Sequence, residues 1–216
     1  RPAALNALSV DMMKALADAT ARLAHRDDLR VVVVEGAGDH FMAGGDLKDF
    51  AAHLHLSPES RLATFRAMIE QYINQSVEAL QALPVPVLAR VQGACAGFGL
   101  SLVLGCDMAV AAHSAYFTTA YASIALSGHG GVSWLLPRVL GRRKAFELLM
   151  LADRFDAAEA QRPRPLLPGL QHRPVADHHQ PHRQPTPPTP IHAKTACFTL
   201  ATCHFIGGRD ADAAHC

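Results

Sequence analysis

Two glycine-bearing loops hold the part of this sequence best suited to chemistry. The first, Glu35 to Phe50, reads E-G-A-G-D-H-F-M-A-G-G-D-L-K-D-F, and the second, Gln92 to Asp107, reads Q-G-A-C-A-G-F-G-L-S-L-V-L-G-C-D. Gly97 and Gly99 flank Phe98, where the apolar run Leu100, Leu102, Val103 and Leu104 predicts the start of a helix. The first N–H groups of a helix have no partner inside it, and glycines let a ligand's polar atom come close to that backbone. A helix N-terminus aimed at a pocket suits an oxygen that gains negative charge. The first loop repeats the arrangement and ends near Gly45, where another helix begins. Together, two such loops can each offer one N–H to a single oxygen, an oxyanion hole made from backbone. Taken singly, each is equally a tight strand-to-helix turn with small residues for packing.

The elements that must position these loops are legible as apolar runs. Leu29 to Val34 reads as a buried strand before the first loop, and Val85, Val87, Leu88 and Val91 as one before the second. Met108 to Ala112 reads as a strand after the glycine-led helix. Ser9 can cap a helix carrying Met12, Leu16, Ala19 and Leu23, ended by Asp27 and Asp28. A second helix begins near Leu47. Ser57-Pro58-Glu59 opens a long helix with Leu62, Phe65, Ile69, Ile73, Val77 and Leu80 on one face. Pro84 and Pro86 close it. A last helix runs from about Val132 to Leu151, with a break expected near Pro137 and Gly141. Continuous apolar strands separated by helices argue for an α/β fold with a largely parallel sheet covered on both faces.

Bulk composition narrows the function classes. A chain of 216 residues, half of them hydrophobic, supports one domain with a sizeable core and leaves room for an appendage. The net charge of +1 and the lack of like-charge blocks exclude an electrostatic nucleic-acid binder. No run of 18 apolar residues suggests a membrane span, and no signal-peptide pattern is visible. Five scattered cysteines fit a reducing cytoplasm better than a disulfide framework. Cys95 and Cys106 read as small buried residues.

The pair F-M-A-G-G-D-L-K and Q-G-A-C-A-G-F-G-L-S-L-V-L-G-C-D resembles the enoyl-CoA hydratase/isomerase (crotonase) family. R-P-A-A-L-N-A-L at the start and G-G-V-S-W-L-L-P-R-V-L-G at Gly130 to Gly141 extend the resemblance from Arg1 to about Gln161. It implies a crotonase-like spiral of β-β-α turns over 1–161, with the family's first strand missing. It implies an acyl-CoA thioester as partner, no separate cofactor because coenzyme A belongs to the substrate, no metal, and a homotrimer or dimer of trimers. Matched by motif, the oxyanion hole is the N–H of Gly45 and of Phe98, and Ala43, Gly44, Asp46, Leu47, Lys48 and Gly97 line the substrate. Asp46 also reads as the cap of its helix, and Lys48 as a charge near the CoA phosphates or a solvated one. Glu35 and Asp107 read as structural.

The acid/base positions depart from the family's hydratases, which use two glutamates. The first of those positions is Ser101 and the second falls near Tyr121. Water addition needs one group to activate water and another to deliver a proton, which serine and an ordinary tyrosine do poorly. Isomerases of the family place an aspartate just before the glycine pair of this loop, and His129 stands there, in S-G-H-G-G, with Gly128 where those relatives commonly have proline. A neutral imidazole can serve as a base near pH 7, and one base suffices to move a proton between two carbons. The catalytic candidates are therefore His129, Tyr121 and Ser101. Double-bond isomerisation is favoured over hydration. A non-catalytic acyl-CoA-binding protein and a conventional hydratase are the alternatives.

From 162 to 216 the resemblance stops. Nine of the fourteen prolines lie between Pro163 and Pro190, a density that forbids regular helix and sheet. This irregular proline-rich tail is expected to be disordered or extended, or to arise from a shifted reading frame. His172, His178, His179 and His182 lack the cysteines and helical spacing of a metal site and read as incidental.

Overall fold

A computed structural model describes residues 1–160. The expectations for the tail, including its four histidines, lie outside the described residues.

The chain repeats one unit, in which a strand leads by a short turn to a second strand or bridge and then to a helix. β1 (Val32–Glu35), β2 (Val87–Val91) and β4 (Met108–Ala111) form a parallel sheet in the order β1-β2-β4. Val32 pairs with Val87, and Leu88 with Met108. A second sheet collects the strands that follow. β3 (Ala94–Ala96) pairs parallel with β5 (Tyr116–Thr118), and β5 pairs antiparallel with β6 (Phe155–Asp156). In the first unit the corresponding position is the bridge of Met42 with Cys95. The chain moves from one sheet to the other through Gln92-Gly93. Gly93 has φ +54°, and a Cβ there would stand 2.4 Å from the His40 ring, so the turn requires glycine.

Helices close each unit. α1 (Val10–Leu23) is capped by Ser9, whose hydroxyl accepts from the Met12 N–H as the sequence predicts. Leu23 is buried and Met12 and Leu16 pack half-buried against the core, so the expected stripe faces inward, widened on one side by the buried Met13 and Thr20. α2 (Leu47–Ala51) is capped by Asp46, which accepts from Lys48 N–H. The single long helix expected after Ser57 is instead α3 (Pro58–Met68), a π-helical stretch (Ile69–Asn74) and α4 (Gln75–Gln81). Wider π turns rotate the apolar stripe out of register. Ile73, Val77 and Leu80 are buried, while Leu62 is 70% exposed.

α5 (Phe98–Leu104) is enclosed, with Phe98 through Val103 all buried. The last expected helix breaks at Gly141, φ +80°, into α6 (Val132–Leu140) and α7 (Arg142–Leu151), and Pro137 sits inside α6 without ending it. The short α8 (Ala157–Ala160) follows β6.

One apolar core joins α1, α4, α5 and the strands through Leu8, Met13, Val77, Val87, Val91 and Phe98. A smaller one packs Tyr121, Val132, Leu136, Ala145 and Leu148 beneath α6 and α7. Glu35 pairs with Arg90 across β1 and β2 at 2.6 Å, and Asp107 accepts from the Val87 N–H, so both carboxylates are structural as read. Cys95 is fully buried and Cys106 half-buried. Burial pushes both thiols up, Cys106 to about 12, so neither forms a thiolate near neutral pH. Among the described residues no helix is long and apolar enough to cross a membrane.

Candidate active site

The two glycine loops meet. Met42 pairs with β3, its N–H donating to Ala94 and its carbonyl accepting from Ala96, which carries the first loop alongside the second. Gly44 and Gly97 then lie back to back. Both have left-handed φ values, +96° and +52°, and a Cβ on Gly97 would stand 3.4 Å from the Gly44 Cα. That is ordinary van der Waals contact, so the left-handed backbone, and not a lack of space, is what calls for glycine at this crossing.

Backbone pairing decides where the Gly45 amide points. Leu8 N–H donates to the Gly44 carbonyl at 2.8 Å, and Asp46 N–H donates to the Leu8 carbonyl at 3.0 Å. Alternation along an extended chain turns the N–H of Gly45 to the opposite edge. Phe98 is the first residue of α5 and has no helical partner for its N–H. Among the described residues no backbone or side-chain acceptor takes either amide hydrogen. Both residues line a cavity of about 200 Å³, together with Leu47, Phe50, Tyr121 and His129.

His129 forms one wall. Its ring meets Tyr121 edge-on at 4.9 Å between centroids and stacks over Phe98 at 6.2 Å. Among the described residues, Nδ1 is buried with no hydrogen-bond partner. Burial disfavours the imidazolium and pushes the histidine down to about 4, so the ring is neutral at pH 7. Ser101 and Tyr121 hold the loop that carries it. The Ser101 hydroxyl donates to the His129 carbonyl at 2.9 Å and lies 3.0 Å from the Tyr121 hydroxyl, which itself lies 3.3 Å from that carbonyl. Ser101 is fully buried and does not line the cavity. Tyr121 presents its ring to the cavity and turns its hydroxyl inward, and burial pushes it up to about 12.

The remaining candidates separate. Ala43, Gly44, Leu47 and Gly97 line the cavity. Asp46 and Lys48 line neither this cavity nor its neighbour. Asp46 is buried against Arg1 at 2.7 Å, and that guanidinium holds its carboxyl below the usual range, while Lys48 is exposed. Among the described residues, no carboxylate lines the small cavity. A larger apolar groove of about 780 Å³ adjoins it, sharing Leu47, Phe50, Ile124, Leu126 and His129 and extending along α3 and the π-helical stretch past Leu62, Phe65 and Ile69.

Sequence reading missed this groove, because Leu62 and Phe65 read as core. It also missed Ile124 and Leu126, which line both, in a stretch with little periodicity. The positive φ of Ala120 and Ala125 shapes that stretch, and nothing in an alanine signals it.

Paired strand-turn-strand-helix units whose glycine loops converge on one pocket define an α/β protein of crotonase type. A model of the enoyl-CoA hydratase/isomerase family matches residues 1–163. The chain is 36% identical over 160 residues to the 1,2-epoxyphenylacetyl-CoA isomerase of Escherichia coli (strain K12), spanning 74% of this chain and 60% of that protein. It is 30% identical over 168 residues to the peroxisomal Delta(3,5)-Delta(2,4)-dienoyl-CoA isomerase of Arabidopsis thaliana, spanning 74% and 59%. The crystal structure of an enoyl-CoA hydratase from Polaromonas sp. JS666 superposes with a TM-score of 0.66 at 37% identity, spanning 74% of this chain and 60% of the other. This chain belongs to the enoyl-CoA hydratase/isomerase family. It spans about 60% of the length of these relatives.

Proposed function

We propose that this protein isomerises the double bond of an enoyl-CoA thioester. The thioester oxygen sits between the N–H groups of Gly45 and Phe98, and His129 is the base. Neutral His129 takes a proton from the α-carbon of a 3-enoyl thioester, and the resulting dienolate carries its charge on the held oxygen. The same imidazolium returns a proton at the γ-carbon, which leaves the 2-enoyl thioester with no net loss or gain. Fixed donors in a dry pocket stabilise such an oxyanion without reorganising, and one donor is typically worth about 2.7–4 kcal/mol. A histidine held near 4 is a weak base in the empty site. The enolate formed beside it reverses that penalty, because an adjacent anion favours the imidazolium.

One observation carries this reading: among the described residues, two backbone amides without an acceptor and one neutral histidine line a cavity that no carboxylate lines. Hydration would need a second acid/base group. Ser101 and Tyr121, entered among the catalytic candidates, act here as positioning residues for His129. Ala43, Gly44, Leu47 and Gly97 contact the acyl thioester, with Asp46 capping α2 and Lys48 left to the CoA phosphates. Coenzyme A arrives as part of the substrate. Assembly as a homotrimer in the cytoplasm belongs to the same proposal, and light scattering of the purified chain checks the subunit number.

The low basicity of His129 favours a second reading, a protein that binds acyl-CoA without turning it over. Mass spectrometry of 3-enoyl-CoA and 2-enoyl-CoA in heavy water separates the two. Deuterium entering the carbon chain without added water, and lost in His129→Ala, is the isomerase result. Added water would reinstate a hydratase. Thioester binding with neither change would leave the binding protein.

A further inference from the structure

The R-P-A-A-L-N-A-L segment takes no part in the reaction as proposed, yet it touches the machinery at several points. Asn6 is 3% exposed and sits in the left-handed region at φ +54°, a conformation asparagine tolerates better than most side chains. Its Nδ2 donates to the carbonyls of Ala37, His40 and Phe41 at 2.9, 2.7 and 3.2 Å. Only the NH2 end of the amide can face three carbonyl oxygens, so the side-chain orientation is settled by its partners.

Those three carbonyls belong to the loop that delivers Gly45. Two residues beyond Asn6, Leu8 makes the isolated parallel bridge that turns the Gly45 N–H away from itself. One side chain thus ties together the two segments whose pairing orients that amide. A single bridge has few hydrogen bonds to fix its register. Beyond it the segments are tied by Ala43 N–H donating to the Leu5 carbonyl at 3.1 Å and by the Arg1–Asp46 pair, so the three bonds of the buried Asn6 are a large share of what holds Leu8 against Gly45.

We infer that Asn6 is a positioning residue for the Gly45 N–H, acting through the 37–41 carbonyls and the Leu8 bridge. This rests on the reading of Gly45 and Phe98 as the two donors to the thioester oxygen. Asn6→Gly is the informative variant, because glycine adopts the left-handed backbone without a Cβ penalty and removes the donor with the rest of the side chain. Asn6→Asp keeps both shape and backbone but places an acceptor before three carbonyls.

The experiment uses a saturated acyl-CoA labelled with 13C at the thioester carbonyl, bound at saturation and read by isotope-edited infrared difference spectroscopy. In the wild type the carbonyl band moves to lower frequency than in free thioester, as two N–H donors polarise it. In Asn6→Gly the ligand still binds, the band returns part of the way toward its free position, and α-proton exchange with heavy water falls roughly 10²-fold. Thermal melting run alongside reports any general loss of fold. If Asn6→Gly does not fold, Asn6→Asp is read in the same way. A variant that keeps the wild-type band and exchange rate overturns the role of Asn6 while leaving the two-donor reading intact. A wild-type band that does not move overturns the two-donor reading, and the role of Asn6 with it.

Discussion

At the scale of single residues, the site depends on where a few buried polar atoms find partners. The Ser101 hydroxyl fills a position between the Tyr121 hydroxyl and the His129 carbonyl. Ser101→Ala leaves that carbonyl with the longer bond from Tyr121 alone, and we expect a loss of about 1–3 kcal/mol in denaturant unfolding. Proton exchange at the α-carbon should fall too, because the histidine loop loses its anchor. His129 makes a separate prediction about pH. It must be neutral to accept a proton, and burial holds it near 4. The exchange rate should therefore stay level from neutral pH down to about 5 and decline around 4, rather than near 6.5 as for an exposed imidazole. A midpoint near 6.5 would show that burial does not set the basicity of the catalytic group.

Among the elements, helix ends and strand ends carry the strain. α7 ends at Ala152 in the left-handed region, φ 53°, and the Ala152 carbonyl accepts from the Thr118 hydroxyl at 2.8 Å. Glycine adopts that backbone without the Cβ penalty, so Ala152→Gly should stabilise the fold by up to about 1 kcal/mol on chemical denaturation. The opposite holds at the loop crossing. Gly97→Ala forces a side chain onto a left-handed backbone against Gly44. We expect a cost of about 1–3 kcal/mol and weaker polarisation of a bound thioester carbonyl. Thr118 also accepts, through its carbonyl, from the Gly97 N–H at 3.1 Å. The end of α7 and the start of α5 are therefore tied to the same strand end.

For the whole molecule, the groove along α3 joins the small cavity to the surface of the helical layer. Its apolar lining and its shared wall with the small cavity suit an acyl chain leaving the thioester. Affinity should rise by about 0.8 kcal/mol for each added methylene that it buries, and then level off. Isothermal titration across a series of saturated acyl-CoA lengths would show that plateau, and a flat series would remove the groove from substrate binding. Stability also responds to pH at this scale. His129 is held below its unfolded value of 6.5, so its neutral state contributes stability that is complete above 6.5. That contribution drains away as pH falls toward 4, amounting to at most about 3 kcal/mol. His129→Gln should flatten this part of the stability curve.

The sequence by itself determined the strands and the loops that follow them. The apolar runs Val32 to Val34 and Val87 to Val91 marked strands, although β2 alternates buried with half-buried residues and β4 lies largely exposed, so the sheet is not covered on both faces as expected. The glycines at 44, 45, 97 and 99 mark turns that other residues enter at a cost. Ser9 and Asp46 announced their helices because a cap is a local interaction. Tertiary structure decided what depends on distant partners. Ala94–Ala96 and Tyr116–Thr118 are three-residue strands with no alternation to betray them, and only their pairing makes them strands. The long apolar stripe after Ser57 divides at the π-helical stretch into a buried half and a groove wall, a choice made by what packs against each half. Two glycine loops separated by about fifty residues became one site because Met42 pairs with Cys95 and Leu8 with Gly45. His129 is an unremarkable letter in a histidine-rich chain, and its low basicity arises from Phe98, Tyr121 and the burial of Nδ1. Local preferences act over a few residues, whereas desolvation and backbone pairing are set by atoms that meet only when the chain has folded.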